Sequence, residues 1–252
     1  MIRGLDLFKR RFEEYKDQYV LIGGSASWVV MDKAGLPFRP TKDLDIVLII
    51  ETLSYEFTKA FYQFIRDGKY KISQKSNGKS CFYRFTKPEN QDYPFMIEIL
   101  SKGNGSSDDL LPGSITRMSI EEEIISLSAI VLNDDLYTFL RNNTTIVEGL
   151  SVADEICLIP LKIRAWIDLT EKKISGIKIK EGDIQKHKND VYLLSQLLTA
   201  NPLKEVPNLI QKDVVFFSEN CPDKDDKLKE LGLENTSIHE IMVRLKLIYL
   251  VS

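Results

Sequence analysis

Two aspartates, Asp43 and Asp45, stand two residues apart at the head of DLDIVLII, and a single glutamate, Glu98, interrupts the apolar run PFMIEIL. Side chains alternate along a strand, so residues two apart share a face at a separation of ~6–7 Å. The neighbours Ile46, Val47, Leu48, Ile49 and Ile50 mark the first segment as a buried strand. Carboxylates at the mouth of such a strand repel one another and lose hydration, which costs free energy unless a cation or basic side chains compensate. Three of them on neighbouring strands make a hard-oxygen set suited to Mg²⁺ or Mn²⁺. The residues alone leave a second reading open, in which Asp43 caps a strand end and the other two acids pair with Lys42 and Arg84.

Upstream, VLIGGSASWVV places Gly23, Gly24 and Ser25 between a strand and a helix. Glycines at such a turn let backbone amides approach an anion, and a helix N-terminus favours negative charge. Glycine also ends strands for steric reasons, so the pair alone is a weak signal. The chain has neither the GxxxxGK[ST] phosphate loop nor a GxGxxG fingerprint. What carries information is the connected order: strand, GGS, helix, Arg39-Pro40-Thr41-Lys42-Asp43-Leu44-Asp45, and an isolated acid on a later strand.

These residues require a scaffold of short strands and helices. Spacing of apolar residues predicts helices over 5–15, 25–34 and 53–65, the last capped by Ser54. Strands are expected at 18–22, 43–50, 80–86 and 95–100, with a Gly/Ser/Asp-rich loop at 102–113. Near Leu150 the composition turns helical. Helices are expected over 153–173, loosened at Pro160, and over 183–199, 208–217 and 237–250. The expected organisation is an α/β domain at 1–150 and a helical domain at 151–252. Trp28 and Trp166 read as core and His187 as an exposed helix residue. Asp190 reads as the partner of Lys186 one turn away, and Asp108, Asp109, Asp134, Asp135 and the 223–226 stretch as solvated loop charge.

Composition narrows the class. The 252 residues are 43% hydrophobic and 28% charged, the mixture of a globular protein with a substantial core. Thirty-four basic and 37 acidic residues leave −3, which argues against coating nucleic acid by bulk charge. A local basic bias remains at Lys172, Lys173, Lys178, Lys180, Lys186 and Lys188, of a kind an RNA backbone could use. No apolar run approaches the roughly 20 residues that span a bilayer, and the opening MIRGLDLFKRRFEEYKD has no apolar signal core. Three cysteines at unrelated spacings (Cys81, Cys157, Cys221) indicate neither a disulfide framework nor a zinc site. The expectation is a cytoplasmic protein without membrane contact.

Taken together, GGSASWVVMDKAGLPFRPTKDLDIVLII resembles the signature of the polymerase-β-type nucleotidyltransferase superfamily, a GS turn, a helix and a strand bearing D-x-D. Glu98 falls where that superfamily carries its third carboxylate. The chain is most similar to the AbiEii/AbiGii-type nucleotidyltransferases, toxins of bacterial abortive-infection and toxin–antitoxin systems. Their first motif runs G-S, a spacer, then R-x-T-x-D-x-D, which Gly24, Ser25, Arg39, Thr41, Asp43 and Asp45 fit. Lys162 with Ala165 matches their helical lysine followed by a small residue, and Asp190 is the candidate for an aspartate on a later helix. Where an acidic residue usually precedes that lysine, this chain has Ile156 and Cys157.

The resemblance implies an α+β fold: a nucleotidyltransferase-type mixed β-sheet with flanking helices, then a C-terminal helical domain. It implies two Mg²⁺ or Mn²⁺ ions on Asp43, Asp45 and Glu98. Gly24 and Ser25 would hold the phosphates of an NTP, Lys162 would clamp them, and Arg39, Thr41 and Asp190 would complete the nucleotide site. The implied reaction moves an NMP group to a hydroxyl acceptor, with the 3′ end of tRNA or another RNA leading and a cognate antitoxin protein as partner. A small-molecule or protein acceptor, or a non-catalytic binding protein of this fold, stays open as the alternative.

Overall fold

A computed structural model of the protein describes residues 2–73, 82–100, 134–199, 201–203, 205–221 and 224–250. The expected loop at 102–113, together with Cys81, Asp108, Asp109 and Asp223, lies outside the described residues. Two compact units divide the chain, Met1–Asp154 and Glu155–Ser252.

The first unit runs α1 (Leu5–Phe12), one turn of 3-10 helix (Glu13–Tyr15), β1 (Tyr19–Ile22), α2 (Gly23–Lys33), β2 (Asp43–Leu48), α3 (Tyr55–Asp67), β3 (Lys71–Ser73), β4 (Phe82–Thr86), β5 (Met96–Leu100), α4 (Asp134–Asn142), β6 (Thr144–Val147) and β7 (Leu150–Ala153). Among the described residues the strands form one seven-stranded mixed sheet in the order β3-β4-β5-β2-β1-β7-β6. The central β2 pairs antiparallel with β1 and parallel with β5. Ser54 caps α3 as expected, accepting from the Phe57 amide at 3.1 Å.

Alternation gives this sheet two unlike faces. Tyr19, Leu21, Ile46, Leu48, Phe85, Ile97 and Ile99 share one face by register and are all buried. Onto it α1 and α3 bring Phe8, Phe12, Phe57, Phe61 and Phe64, with Phe8 edge-on to Tyr19 at 5.3 Å and Phe61 edge-on to Phe85 at 5.7 Å. Each buried aromatic contributes about 1.5–3 kcal/mol, so this cluster anchors the sheet. The opposite face carries Asp43, Asp45 and Glu98.

In this unit β3, α4 and the β6–β7 hairpin were not expected from the sequence. The residues Asp134 and Asp135, read as loop charge, form the first turn of α4, where the helix dipole favours acids. The hairpin is closed by Glu148 and Gly149 at φ 49° and 87°, the two positive values a tight primed turn demands.

The second unit is helical: α5 (Glu155–Ile174), α6 (Glu181–Leu194) with a 3-10 turn (Ser195–Leu197), α7 (Asn208–Asn220), α8 (Asp225–Glu230) and α9 (Ile238–Tyr249). Asp225 and Asp226, also read as loop charge, open α8. Pro160 lies inside α5 and lacks the N–H that would reach the carbonyl of Ile156. The Tyr249 hydroxyl donates to that carbonyl instead, at 3.0 Å. Trp166 packs edge-on against Phe217 at 5.1 Å, and Ser237 with Glu240 forms a capping box on α9. Among the described residues no helix is long and apolar enough to cross a membrane.

Candidate active site

The ladder places the acids side by side. Asp45 on β2 is the register partner of Glu98 on β5, and Glu98 is the register partner of Arg84 on β4. Paired residues project to the same face, so Arg84, Glu98 and Asp45 form one row across three strands, which Ile22 of β1 extends. Asp43 lies two residues along β2, on the same face, in register with Met96. Asp43 and Asp45 are half-buried, and Glu98 is only 7% exposed.

Electrostatics follow from that row. Burial, then the charge of Asp45, push the Glu98 carboxyl up to about 8, with Asp43 adding to the rise and Arg84 opposing it. The Arg84 guanidinium donates through Nε to Glu98 Oε1 in a short, mostly buried ion pair. As they stand, no three His, Cys, Asp or Glu side chains among the described residues are gathered closely enough to hold a metal ion. The donor set is nonetheless the right chemistry for a hard divalent cation: carboxylate oxygens, sharing a face, in adjacent register.

Next to this row the chain makes room with glycine. Helix α2 begins directly after β1, so Gly23 and Gly24 form its first turn rather than a turn ahead of it. Gly23 has φ 69°, and a Cβ there would fall inside contact distance of Asp45 Oδ2 and 2.9 Å from its Cγ. The Asp45 carboxylate thus occupies the space a side chain would take, beside the positive end of α2. A Cβ at Gly24 would lie 2.8 Å from Thr41 Oγ1 and 3.6 Å from Arg39 Nη2. Arg39 and Thr41 therefore meet the N-terminus of α2, where Ile22 at the cap position makes no side-chain capping bond.

Ser25 differs from the expectation of a hydroxyl turned to ligand. It is fully buried and donates to the Ile22 carbonyl at 3.3 Å, as Ser27 donates to Gly23 at 2.7 Å. Its contribution at the helix start is the backbone amide. The requirement at Gly23, as distinct from Gly24, escaped the sequence reading; the doubled glycine was its signal.

The remaining two residues lie in the second unit. Lys162 of α5 and Asp190 of α6 form an ion pair at 2.8 Å, with side chains 5% and 0% exposed. Asp190 was expected to pair with Lys186; Lys186 instead reaches Asp183 at 3.3 Å. Of the lysines behind the basic bias, Lys188 is 1% exposed and Lys173 is paired with Glu181, while Lys178 and Lys180 are exposed. A second ionic cluster was not foreseen: Arg164 grips Asp213 through two nitrogens and reaches Asp168 at 3.2 Å.

No protein-family model matches the chain, and no curated protein matches it. Three solved structures show a distant likeness in backbone course. An antigenic nucleotidyltransferase-like protein from Paracoccidioides brasiliensis aligns over 98% of this chain and 95% of its own, at 11% identity and TM-score 0.43. The antibiotic-resistance factor ANT(2'')-Ia aligns over 91% and 96%, at 8% identity and TM-score 0.40. The Cid1 poly(U) polymerase, in a MgATP-bound form, aligns over 86% and 67%, at 12% identity and TM-score 0.32.

Proposed function

We propose that this protein is a metal-dependent nucleotidyltransferase that moves a nucleoside monophosphate from an NTP to a hydroxyl acceptor and releases pyrophosphate. One observation carries the reading. Asp45 and Glu98 stand in register on a single face, Asp43 beside them, against a helix N-terminus that Gly23 and Gly24 let Asp45 and Thr41 approach.

Asp43, Asp45 and Glu98 would hold Mg²⁺ or Mn²⁺. The bound metal would activate the acceptor oxygen and offset charge on the departing pyrophosphate. The chain's own part is positioning. Amides of the first α2 turn suit the triphosphate, and Arg39 and Thr41, packed close against Gly24, offer a guanidinium and a hydroxyl at the same place. The resemblance assigns Lys162 and Asp190 to the nucleotide as well.

We place RNA first as the acceptor, and the biological role as a toxin with a protein antitoxin. Support comes from the resemblance and from the exposed Lys178 and Lys180. Calorimetry with Mg²⁺ and each NTP tests the site: the wild type should bind, and Asp45→Asn should bind at least tenfold more weakly while staying folded. Equal binding by both would overturn the assignment.

A further inference from the structure

The row of acids ends on a base that the proposed chemistry does not use. Arg84 is the cross-strand partner of Glu98, and its Nε is bonded to Glu98 Oε1 with the two side chains 14% and 10% exposed. Glu98 is in turn the cross-strand partner of Asp45. The guanidinium therefore already holds a carboxylate that the proposed divalent ion would need.

We propose that Arg84 is the resident counter-cation of the carboxylate row: it holds Glu98 while the site lacks metal and yields that carboxylate to the divalent ion on binding. This inference rests on the metal-dependent reading above and names a regulation of the same site. The physical argument has two parts. Without Arg84, the buried Glu98 carboxylate would lose a bonded base while standing beside Asp45, and the fold would lose stability. With the base in contact, a divalent ion must compete with a charge-assisted bond at Oε1 for the carboxylate. Arg84 is a positioning residue in this scheme; it acts through Glu98 and touches neither nucleotide nor acceptor.

The exchange separates Arg84 from a purely structural base. Loss of a structural residue weakens ligand binding, whereas loss of a competitor strengthens it. Mn²⁺ binding alone, without nucleotide, is measured by electron paramagnetic resonance at rising pH until the affinity stops changing, because Arg84 lowers the Glu98 carboxyl and its loss lets a proton compete with the ion. Arg84→Met should bind Mn²⁺ about tenfold more tightly than the wild type, the effect of removing one unit charge at contact range. Arg84→Lys, which keeps the charge, should bind like the wild type. In a Glu98→Gln background, Arg84→Met should gain clearly less than it does beside Glu98.

A second measurement uses the unaltered protein and so does not depend on a variant folding. The Arg84 Nε–H resonance should be sharp and slow to exchange in metal-free protein, and should lose that protection on Mg²⁺ addition. If Arg84→Met binds Mn²⁺ no more tightly than a wild type that does bind, or if the Nε–H signal ignores Mg²⁺, the exchange is wrong while the metal site stands. If neither protein binds Mn²⁺, the metal site and the exchange fall together.

Discussion

Asp45 and Glu98 are register partners in the parallel ladder between β2 and β5, and the charge of Asp45 is the largest influence on the Glu98 carboxyl after burial itself. Two acids are thereby fixed side by side by backbone pairing, independent of any flexible segment. Sites built on strands hold their geometry more closely than sites on loops. The cost is repulsion inside a low-dielectric setting, which a fold without use for the charges would have no reason to carry.

That repulsion predicts a pH dependence in metal-free protein. The Glu98 carboxyl is raised from 4.5 to about 8, so the fold favours its neutral form. Its share of stability is complete below about pH 4.5, declines as pH rises, and is lost above about pH 8. Glu98→Gln keeps a neutral group of the same shape at every pH. In EDTA, the melting temperature of Glu98→Gln relative to wild type should therefore rise by roughly 5–10 °C between pH 5 and pH 8.5. A difference that does not change with pH would contradict this.

Gly23 should tolerate no side chain. Gly23→Ala meets both a left-handed backbone and the Asp45 carboxylate, so unfolding in denaturant should show a loss of about 2–4 kcal/mol. Gly35→Ala is the control: φ is 70° there too, but the space is open, and the loss should be only about 1–2 kcal/mol. Equal losses at the two positions would mean that Asp45 does not press on Gly23.

The buried pair Lys162–Asp190 allows fold and ligand to be separated. Removing one partner takes a bonded counter-charge from a buried group, so Lys162→Met or Asp190→Asn should each cost about 3–5 kcal/mol. The double change Lys162→Met with Asp190→Leu should recover most of that loss. If the double variant folds and binds NTP as the wild type does, the pair is structural; the nucleotide role predicts a loss of affinity of tenfold or more.

Should RNA be the acceptor, Lys178→Glu with Lys180→Glu must weaken RNA binding and lower its salt dependence, while NTP affinity stays unchanged. Filter binding across a salt series measures this. An unaltered slope would remove these two residues from an RNA surface.

Much of the site was legible because alternation and apolar context are local properties. Asp43, Asp45 and Glu98 needed only a strand around them, legible in runs such as DLDIVLII, whereas the mixed sheet with flanking helices came from the resemblance. Contacts across elements were not legible. Asp190 could be read only against Lys186 on its own helix, whereas packing of α5 on α6 gave it Lys162. Lys188 looked like solvated charge and is buried, because a lysine on an amphipathic helix does not announce which face it takes. The β6–β7 hairpin was hidden by its turn, Glu148-Gly149, which lacks the usual Asn-Gly or Asp-Gly signature. Arg84 entered the sequence reading as a bland partner for an acid; only the register showed it closing a row of three charges.

The central claim is the reaction, and one assay meets it directly: the protein incubated with each α-labelled NTP, Mg²⁺ and total tRNA, with Asp45→Asn alongside. The account predicts Mg²⁺-dependent label on RNA with the wild type and none with the variant. Label on the protein itself, or on an added small hydroxyl compound, would keep the transfer chemistry and contradict the acceptor. Absence of any NTP binding or label, with the carboxylate row intact, would contradict the account as a whole.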